Sequence, residues 1–405
     1  MCAILQAMTP NRIDSLVQKI CFFFNHDQMH QIAHSLPIAL QLIEAQSAEV
    51  TLAVTSEMLE AEVRRLAGAR SASIPIVRLG TKTPLSQALV RALDGVVPAR
   101  KLMVYRDNLD FFRAFDALVV SEKSSLLLKT RYGLNRLKFI HTRHGAGDRA
   151  IGFNPESAAF DLILVSGEKI RERLINNAGV PPEKIRITGY AKFDIVSPAP
   201  PPLFADSTRK TVLYNPHPSP HLSSWFRFGH RLLEQFYQSD RYNFIFAPHV
   251  MLFARPWSMT VDRLSIAYAR KPARRYFEAP HIHIDLGSPA CSDMTYTNAA
   301  DLYLGDVSSQ VYEFIYRPRP CLFLDAHNTR WKDNPDYRHW TAGPVRTDAN
   351  DIDAALFDAI AQANNYDAQQ RLLLRESFSV TDQPASARAA AAIISFLQDP
   401  ARTRP

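Results

Sequence analysis

The sequence predicts an α/β protein built from two facing Rossmann-like domains that end in a C-terminal helix. At 405 residues the chain exceeds what one hydrophobic core usually organises, so two domains are expected. Short apolar runs alternate with amphipathic stretches, which is typical of a parallel sheet with helical crossovers. The same alternation begins again after a proline-rich segment in the middle of the chain, which indicates a second domain of the same kind.

The first half of the chain begins with a buried strand at Ile20–Phe24. A helix is predicted over Asp27–Ala45, where Ile32 and Leu36 begin a series of apolar residues spaced for one buried face. Pro37 lies inside this stretch, so we expect a kink or a break into two shorter helices. The pattern also predicts a helix over Ser56–Ala67 and strands at Val50–Val54, Ile74–Val77, Lys101–Tyr105, Ala117–Val120, Lys138–Thr142, Leu162–Ser166 and Ile185–Gly189.

A linker between the domains is predicted over 198–209, because four prolines at its start cannot continue a helix or a central strand. We therefore expect a first domain over 1–197, a second over 210–380, and a C-terminal helix and tail over 381–405. The second domain is predicted to contain strands at Thr211–Asn215, Asn243–Ala247, His281–Asp285, Leu302–Leu304 and Pro320–Leu324, and helices at Trp225–Gln238 and Ser308–Tyr316. The alanine-rich tail helix is predicted over Ala385–Leu397.

The composition is that of a globular protein. Hydrophobic residues make up 46% and charged residues 21%, which excludes wholesale disorder. The 47 basic and 40 acidic residues are spread along the chain without a nucleic-acid recognition motif, so nucleic acid is not an expected partner. Mild basicity suits a phosphate-rich ligand or weak association with an anionic membrane. The sequence predicts no particular oligomeric state.

Cysteine spacing and hydropathy favour a cytoplasmic location. The four cysteines show no CxxC spacing, so neither a disulfide framework nor a zinc site is expected. No apolar run approaches the roughly 20 residues that span a bilayer, and the N-terminus lacks the basic start of a signal peptide. Because G-x-G-x-x-G and Walker A motifs are absent from the sequence, no cofactor is expected. We expect a cytoplasmic protein, at most peripheral on the inner face of the cell membrane.

The segment 300–314 carries the clearest chemical signal. A strand is expected to end at Gly305, and a helix to begin at Ser308 and Ser309. Free backbone N–H groups, the positive end of the helix dipole and two hydroxyls would together cradle a phosphate. Asp306 is counted with these two serines as a candidate nucleotide-binding residue. The alternative is that Asp306 or Ser308 only caps the helix.

A second polar segment follows the predicted strand Lys138–Thr142. Arg143, His144 and Gly145 lie there in close succession. A histidine can take a proton from an acceptor hydroxyl near neutral pH, and glycine lets a substrate approach the backbone. A structural or solvated histidine is the alternative interpretation of His144.

Other histidines follow strands in the second half. His249 ends one such strand and is a candidate for the donor side. His217 and His221 lie in a proline-rich loop, whereas His281 and His283 alternate with isoleucines and either pair as metal ligands or face solvent. Since no strong ligand motif occurs, no metal site is predicted.

Two histidines are candidates for contact with an acceptor. His26 and His30 flank the first predicted strand–helix junction, which faces the cleft in a two-domain protein of this kind. The alternative is the polar face of an exposed helix.

Several of these motifs resemble one known family. His144-Gly145 is similar to a His-Gly motif at a strand end, and 189–194 is similar to Gly-Tyr-Pro-Arg-x-Asp with Lys192 at the arginine position. The segments 213–216 and 317–325 resemble a Leu-Tyr-x-Pro opening and a Lys-Pro-plus-strand ending. The strongest match is to Ala-Asp-x-x-x-x-Asp-Tyr-Ser-Ser followed by an acid, fitted by Ala300, Asp301, Asp306, Ser308, Ser309 and Glu313. Together these motifs resemble the CDP-glycerol glycerophosphotransferases, the teichoic-acid polymerase-like enzymes with a GT-B fold.

This sequence departs from the family pattern at two positions. Val307 replaces the usual tyrosine, and Pro248-His249 reverses a His-Pro motif. Both lie where the nucleotide would sit, so they bear on the identity of the donor.

The resemblance implies a GT-B-like transferase. His144 would be the base, with His249, Ser308 and Ser309 as donor phosphate ligands and Lys192 or Arg143 neutralising charge. The implied reaction moves a glycerophosphate or sugar group from a nucleotide-diphosphate donor, with CDP-glycerol favoured, to a hydroxyl of a cell-surface polymer or lipid-linked acceptor. Three alternatives stay open: a sugar-nucleotide glycosyltransferase of the same fold, a UDP-sugar 2-epimerase-like enzyme, and a non-catalytic nucleotide-binding protein.

Overall fold

Two parallel β-sheets form the framework of the protein, in a computed structural model that describes residues 17–25, 29–93, 99–143, 145, 147–149, 152–195, 202–260 and 265–399. Each sheet is built from consecutive strand–helix units, so the predicted fold class, α/β with two Rossmann-like halves, is confirmed.

The first sheet has seven strands in the order β3-β2-β1-β4-β5-β6-β7. The chain builds outward from β1 to β3 and then returns to add β4 on the other side of β1. The crevice at the carboxyl ends of β1 and β4 is therefore a topological switch point, where ligands bind in sheets of this kind. The strands are β1 Lys19–Phe24, β2 Glu49–Val54, β3 Ile76–Arg78, β4 Ala117–Val120, β5 Lys138–His141, β6 Leu162–Val165 and β7 Ile185–Ile187.

The second sheet has six strands and repeats this connectivity, with the order β12-β9-β8-β13-β14-β15 and a switch point between β8 and β13. Its strands are β8 Thr211–Asn215, β9 Asn243–Phe246, β12 Ile282–Ile284, β13 Leu302–Gly305, β14 Cys321–Leu324 and β15 Val345–Arg346. A separate antiparallel hairpin, β10 Trp257–Thr260 with β11 Ser265–Tyr268, interrupts the crossover from β9 to β12.

The helices cover the sheets because the central strands are near-continuous apolar runs that need burial on both faces. They are α1 Ile32–Glu44, α2 Glu57–Ala67, α3 Pro84–Leu93, α4 Ala99–Asp107, α5 Leu109–Arg113, α6 Leu127–Thr130, α7 Glu168–Ala178, α8 His230–Gln238, α9 Arg274–Phe277, α10 Thr295–Ala299, α11 Gln310–Phe314, α12 Ile352–Ala361, α13 Ala363–Ser377 and α14 Ala385–Gln398. One turn of π-helix, Trp225–Gly229, precedes α8.

The end of the chain returns to the first domain. The backbone N–H of Ser379 donates to the carbonyl of Ser166 at 2.8 Å, directly after α13. Helix α14 then buries Ile393 and its apolar neighbours in the same core as Leu36 and Leu40 of α1. The predicted tail helix therefore helps to close the first domain, although it follows the second in sequence.

Among the predicted elements, the following differ most from the structure. The segment Lys101–Tyr105, predicted as a strand, is part of helix α4, because a short apolar run has no periodicity that separates a strand from a buried helix turn. Pro37 does not break α1, which runs from Ile32 to Glu44 as one helix. Helix α11 is shorter than predicted, since it begins at Gln310 instead of Ser308 and has five residues.

The start of the predicted linker, residues 196–201, lies outside the described residues. Residues 202–209 contain neither helix nor strand.

Candidate functional site

A cavity of about 400 Å³ lies between the two domains. Its walls come from loops at the carboxyl ends of strands in both sheets, as expected for switch-point sites. The predicted site residues that line it are Arg143, Gly145, Lys192, His249, Ser308 and Ser309. The fold thus brings together six predicted residues that are as far apart as 143 and 309 in sequence.

Two histidines of the second domain lie in matching turns on the cavity wall. His217 follows β8 and His249 follows β9, each directly after a proline. The ring Nδ1 of His217 accepts the backbone N–H of Ser219 at 3.0 Å, and Nδ1 of His249 accepts that of Met251 at 3.2 Å. Because Nδ1 is an acceptor in both rings, the proton of each neutral imidazole is on Nε2. The ring centroids are 6.2 Å apart.

Burial sets the charge of these two imidazoles. It lowers the pKa of His249 to about 4 and holds the pKa of His217 well below 6.5, with His249 adding to the effect on His217. At neutral pH both rings are therefore uncharged and offer Nε2–H as a hydrogen-bond donor. From the sequence, His217 was a candidate only for a metal ligand, although the repeated Pro-His dipeptide after adjacent strands was a signal for this pair.

The two serines in the loop after β13, Ser308 and Ser309, differ in burial and in hydrogen bonding. The Ser308 hydroxyl donates to the Asn215 side chain at 2.7 Å and accepts the Gln310 N–H at 3.3 Å, so Ser308 is buried and internally bonded. Ser309 is exposed and makes no side-chain capping bond to α11. With only five residues in α11, the helix dipole expected at this point is small.

Asp306 lies behind the cavity wall and not on it. Its carboxylate accepts backbone N–H groups of His217 at 2.9 Å, Ser224 at 2.6 Å and Val307 at 2.7 Å. Burial raises its pKa. The carboxylate is fully buried and is engaged in fixing the loops that carry His217 and Ser308. Contact between Asp306 and the nucleotide stays a prediction, and this geometry does not favour it.

The glycine loop of the first domain approaches Ser309 closely. Gly145 has φ +72°, a conformation that favours glycine, and a Cβ there would lie 3.5 Å from the Ser309 Oγ. A Cβ on Gly147 would lie 3.2 Å from the Ser309 Cβ. The absence of side chains at both positions lets this loop form the wall opposite the serine.

Arg143 supplies positive charge to the cavity. Its guanidinium donates to the Gly152 carbonyl at 2.9 Å and lies 4.7 Å from the centre of the Phe153 ring. Burial, with Arg173 nearby, lowers its pKa to about 10, so it is charged at neutral pH. No carboxylate among the described residues forms an ion pair with Arg143.

Lys192 is less available than the sequence suggested. Its ammonium donates to Glu313 at 2.7 Å, with the Tyr190 hydroxyl on the same carboxylate oxygen at 2.7 Å. The Lys192 side chain is only 4% exposed. Lys192 and Glu313 both line the cavity, and their ion pair joins the two domains there. The Glu313 carboxylate offsets the positive charge that Lys192 would otherwise offer to a ligand.

A second buried carboxylate, Asp148, also connects the domains. It accepts from Lys169 at 2.8 Å, from the Tyr312 hydroxyl at 2.7 Å, and from the backbone N–H of His339 at 3.0 Å, with the His339 Nδ1 also at 3.0 Å. Burial alone would raise the pKa of Asp148, but Lys169 and His339 hold it well below its usual value. Tyr312 and His339 were not predicted as partners of Asp148, since nothing in the local sequence indicates a partner so far along the chain.

Three predicted residues lie beyond this description. The candidate base His144 and the acceptor-side candidate His26 are outside the described residues. His30 is in a 3₁₀ turn, Met29–Gln31, and its side chain is outside the described part.

His281, directly before β12, and His283, within β12, do not act as a pair. His281 bonds the Phe236 carbonyl at 2.8 Å and His283 bonds the Tyr296 hydroxyl at 2.9 Å. Over the described ranges, no three His, Cys, Asp or Glu side chains are grouped so as to hold a metal ion. Nor does any described helix have the length and apolarity needed to cross a membrane.

Comparison with known proteins identifies the fold. No protein-family model matches the chain, and no curated protein sequence does. Among solved structures, a variant of the wall teichoic acid polymerase TagF soaked with CDPG is similar with a TM-score of 0.59 and 13% identity, over 94% of this chain and 88% of that one.

Two further structures cover nearly the whole of both chains. The S. aureus protein MnaA bound to UDP has a TM-score of 0.57 and 12% identity, over 96% of this chain and 98% of that one. The UDP-GlcNAc 2-epimerase from Neisseria meningitidis bound to UDP-GlcNAc has a TM-score of 0.54 and 14% identity, over 94% and 99%. These likenesses show that the chain has the two-domain GT-B-like fold.

Proposed function

We propose that the cavity binds a nucleotide-diphosphate donor and that the protein transfers the activated group of this donor to a hydroxyl acceptor. The observation that carries the proposal is the pair of matching Pro-His turns at the switch point of the second sheet, which place two imidazoles, each with its proton on Nε2, on the wall of one cavity. The solved structures that share the fold support it, because they include a protein soaked with CDPG, one bound to UDP and one bound to UDP-GlcNAc.

The pyrophosphate would receive hydrogen bonds from the wall of the second domain. His217 and His249 would donate through Nε2–H, and the exposed Ser309 through its hydroxyl. Arg143 would supply the balancing charge, since its guanidinium has no carboxylate partner among the described residues. Lys192 would contribute less, because Glu313 already shares its charge.

We propose His144 as the general base, on the family resemblance and on its place between Arg143 and Gly145, both of which line the cavity. It would take the proton of the acceptor hydroxyl while that oxygen attacks the donor. With CDP-glycerol, the favoured donor, a bond forms between the acceptor oxygen and the glycerol-bearing phosphorus. The bond from this phosphorus to the bridging oxygen breaks, and CMP leaves. Replacing His144 by alanine should lower turnover by about a hundredfold or more.

A UDP-sugar 2-epimerase is the second candidate. It is favoured by the similarity to MnaA and to the Neisseria meningitidis epimerase, each over 94% or more of both chains. An epimerase changes one substrate without an acceptor. Incubation with UDP-GlcNAc alone separates the two functions, since a transferase leaves the sugar configuration unchanged.

A thermal-shift screen against CDP, UDP, GDP, ADP and CDP-glycerol tests the donor. Binding stabilises a fold by mass action, so a selective rise in Tm identifies the nucleotide. A response to CDP and CDP-glycerol supports the glycerophosphotransferase, whereas a response to UDP or GDP supports a glycosyltransferase or an epimerase. Binding that survives His144→Ala with no turnover in either form would indicate a non-catalytic nucleotide-binding protein. No response to any nucleotide would contradict the proposed site.

The histidine pair has its own test. Replacing His217 or His249 by alanine should weaken nucleotide binding by about tenfold or more each, since hydrogen bonds to charged groups contribute about 1.5–3 kcal/mol. His281→Ala is the matched control, because His281 bonds the Phe236 carbonyl away from the cavity. Equal affinities for the nucleotide in all three variants would show that neither His217 nor His249 binds it.

A further inference from the structure

The hairpin β10–β11 presents an exposed apolar face. Trp257 pairs with Tyr268 in register, and their ring centroids are 5.3 Å apart. Directly opposed residues and alternate residues of a strand share one face of a sheet, so Ile266 lies on the same face. The exposed fraction is 62% for Trp257, 55% for Tyr268 and 64% for Ile266. Large apolar residues grouped in this way mark an interaction surface.

The hairpin also lies in a basic part of the chain. Residues 251–275 contain six basic residues and one acidic residue, against a net charge of +7 for all 405 residues. Arg274 and Arg275 pair with Glu278 and Glu234. Arg255, Arg270 and Lys271 flank the two strands, are exposed, and form no ion pair with any described residue.

We propose that this hairpin, with its flanking basic residues, is a docking surface for an anionic lipid bilayer. Tryptophan and tyrosine favour the interface of a membrane, where the ring is buried and its polar edge stays hydrated. Flanking arginine and lysine are attracted to acidic headgroups. The apolar face therefore suits the apolar part of a membrane interface, and the flanking basic residues, which form a positive rim, suit its acidic headgroups.

A second copy of the chain fits this surface less well. Two hairpins meeting face to face would bring like-charged rims together, which costs affinity. A hairpin of eight strand residues is also far smaller than the roughly 20–30 residues that each partner contributes to a stable interface. A nucleic acid would match the charge but would gain little from the Ile266 side chain.

Docking would affect the proposed site through chain connectivity. His249 and Met251 line the cavity, and five residues separate Met251 from Trp257. Because an extended chain spans at most about 3.5 Å per residue, Trp257 lies within roughly 20 Å of Met251. A membrane at the hairpin would hold the cavity near its surface, which suits a lipid-linked acceptor. Only this consequence rests on the proposed function, and the docking itself does not.

Vesicle flotation of the full chain tests the docking. The protein should float with vesicles of phosphatidylcholine and phosphatidylglycerol, and less with phosphatidylcholine alone. The double variant Trp257→Ser, Ile266→Ser should bind the mixed vesicles at least about tenfold more weakly, because two large apolar side chains lose burial. Leu85→Ser is the matched control, since Leu85 is 59% exposed on helix α3, and should bind like the wild type.

The charge is tested separately. The double variant Arg270→Glu, Lys271→Glu should lose roughly thirtyfold or more, since each basic residue near an anionic surface contributes about a fivefold factor. Arg91→Glu, which changes an exposed arginine of α3, should lose much less than this. Equal loss in both variants would mean that only net charge matters and would overturn the hairpin as the docking element.

Quenching by brominated lipids gives a readout that does not depend on how stable the variants are. Of the four tryptophans, Trp225 and Trp340 are buried and Trp331 is partly buried, so Trp257 is the most exposed. Brominated vesicles should quench the wild type, and Trp257→Phe should still float while losing most of the quenching.

The proposal would also be overturned by absent flotation of the wild type, by flotation without quenching, or by a dimer that the double serine variant dissociates. It would also be overturned if the hairpin variants bound vesicles like the wild type but lost binding to nucleic acid. Thermal shifts with nucleotides, measured on the same variants, should match the wild type, which separates failure of docking from failure of the donor site.

Discussion

Replacing Asp148 by asparagine tests whether this buried carboxylate holds the two domains together. The carboxylate accepts from Lys169, Tyr312 and His339 at 2.7 to 3.0 Å. Asparagine keeps the shape but removes the charge, which leaves the Lys169 ammonium, 4% exposed, without its counter-charge. Removing one partner of a buried ion pair costs about 3–5 kcal/mol.

Differential scanning calorimetry converts this cost into a temperature. An unfolding entropy of about 2.1 cal/mol/K per residue gives about 0.85 kcal/mol/K for 405 residues, so Tm should fall by about 4–6 °C. Asp367→Asn is the matched control, since Asp367 pairs with Arg371 on the surface and should shift Tm by less than about 1 °C. Adding Lys169→Met to Asp148→Asn should recover part of the loss. Equal Tm values for the two asparagine variants would refute the assignment.

Three further predictions concern pH and packing. Because the pKa of Asp148 is lowered in the folded state, this residue contributes stability that is present above about pH 3.9 and is lost as pH falls toward the folded pKa. In urea titrations, the difference in free energy of unfolding between the wild type and Asp148→Asn should therefore shrink below about pH 4. His249 has a folded pKa of about 4, so the wild type should lose stability as pH falls from about 6.5 to about 4, and His249→Gln should lessen this loss. Gly167→Ala should destabilise the fold by about 1–3 kcal/mol, because its Cβ would lie 2.6 Å from the Ser377 backbone, whereas Gly80→Ala, with no atom within 4 Å, should be nearly neutral in the same denaturant assay.

The sequence predicted most strands of the two sheets because buried parallel strands are short apolar runs with polar loops after them. Ala117–Val120 and Thr211–Asn215 have the predicted bounds. The segment Lys101–Tyr105 failed because only part of it is buried, on one face of a helix, and an apolar run of that length does not distinguish the two structures. Further elements were not predicted, namely helices α3, α5, α6, α7, α9, α10, α12 and α13 and strands β10, β11 and β15.

The candidate site was predictable where chemistry follows a strand end. Arg143, His249 and Ser309 were found in this way, since the carboxyl ends of parallel strands meet at one edge. The contacts of Asp148 were not predictable, because its partners Tyr312 and His339 are 164 and 191 residues away and only the folded topology brings them together. The same limit applies to Glu313, which neutralises Lys192 from the other domain.

Isothermal titration of CDP-glycerol and UDP-GlcNAc into the wild type and the double variant His217→Ala, His249→Ala tests the central claim most directly. We expect saturable binding of one of these donors to the wild type. We also expect that the double variant, while keeping the Tm of a folded protein, binds that donor at least about a hundredfold more weakly, from two lost hydrogen bonds to charged oxygens. Unchanged affinity in the double variant, or no binding of either donor by the wild type, would contradict the claim that the two Pro-His turns form a pyrophosphate site.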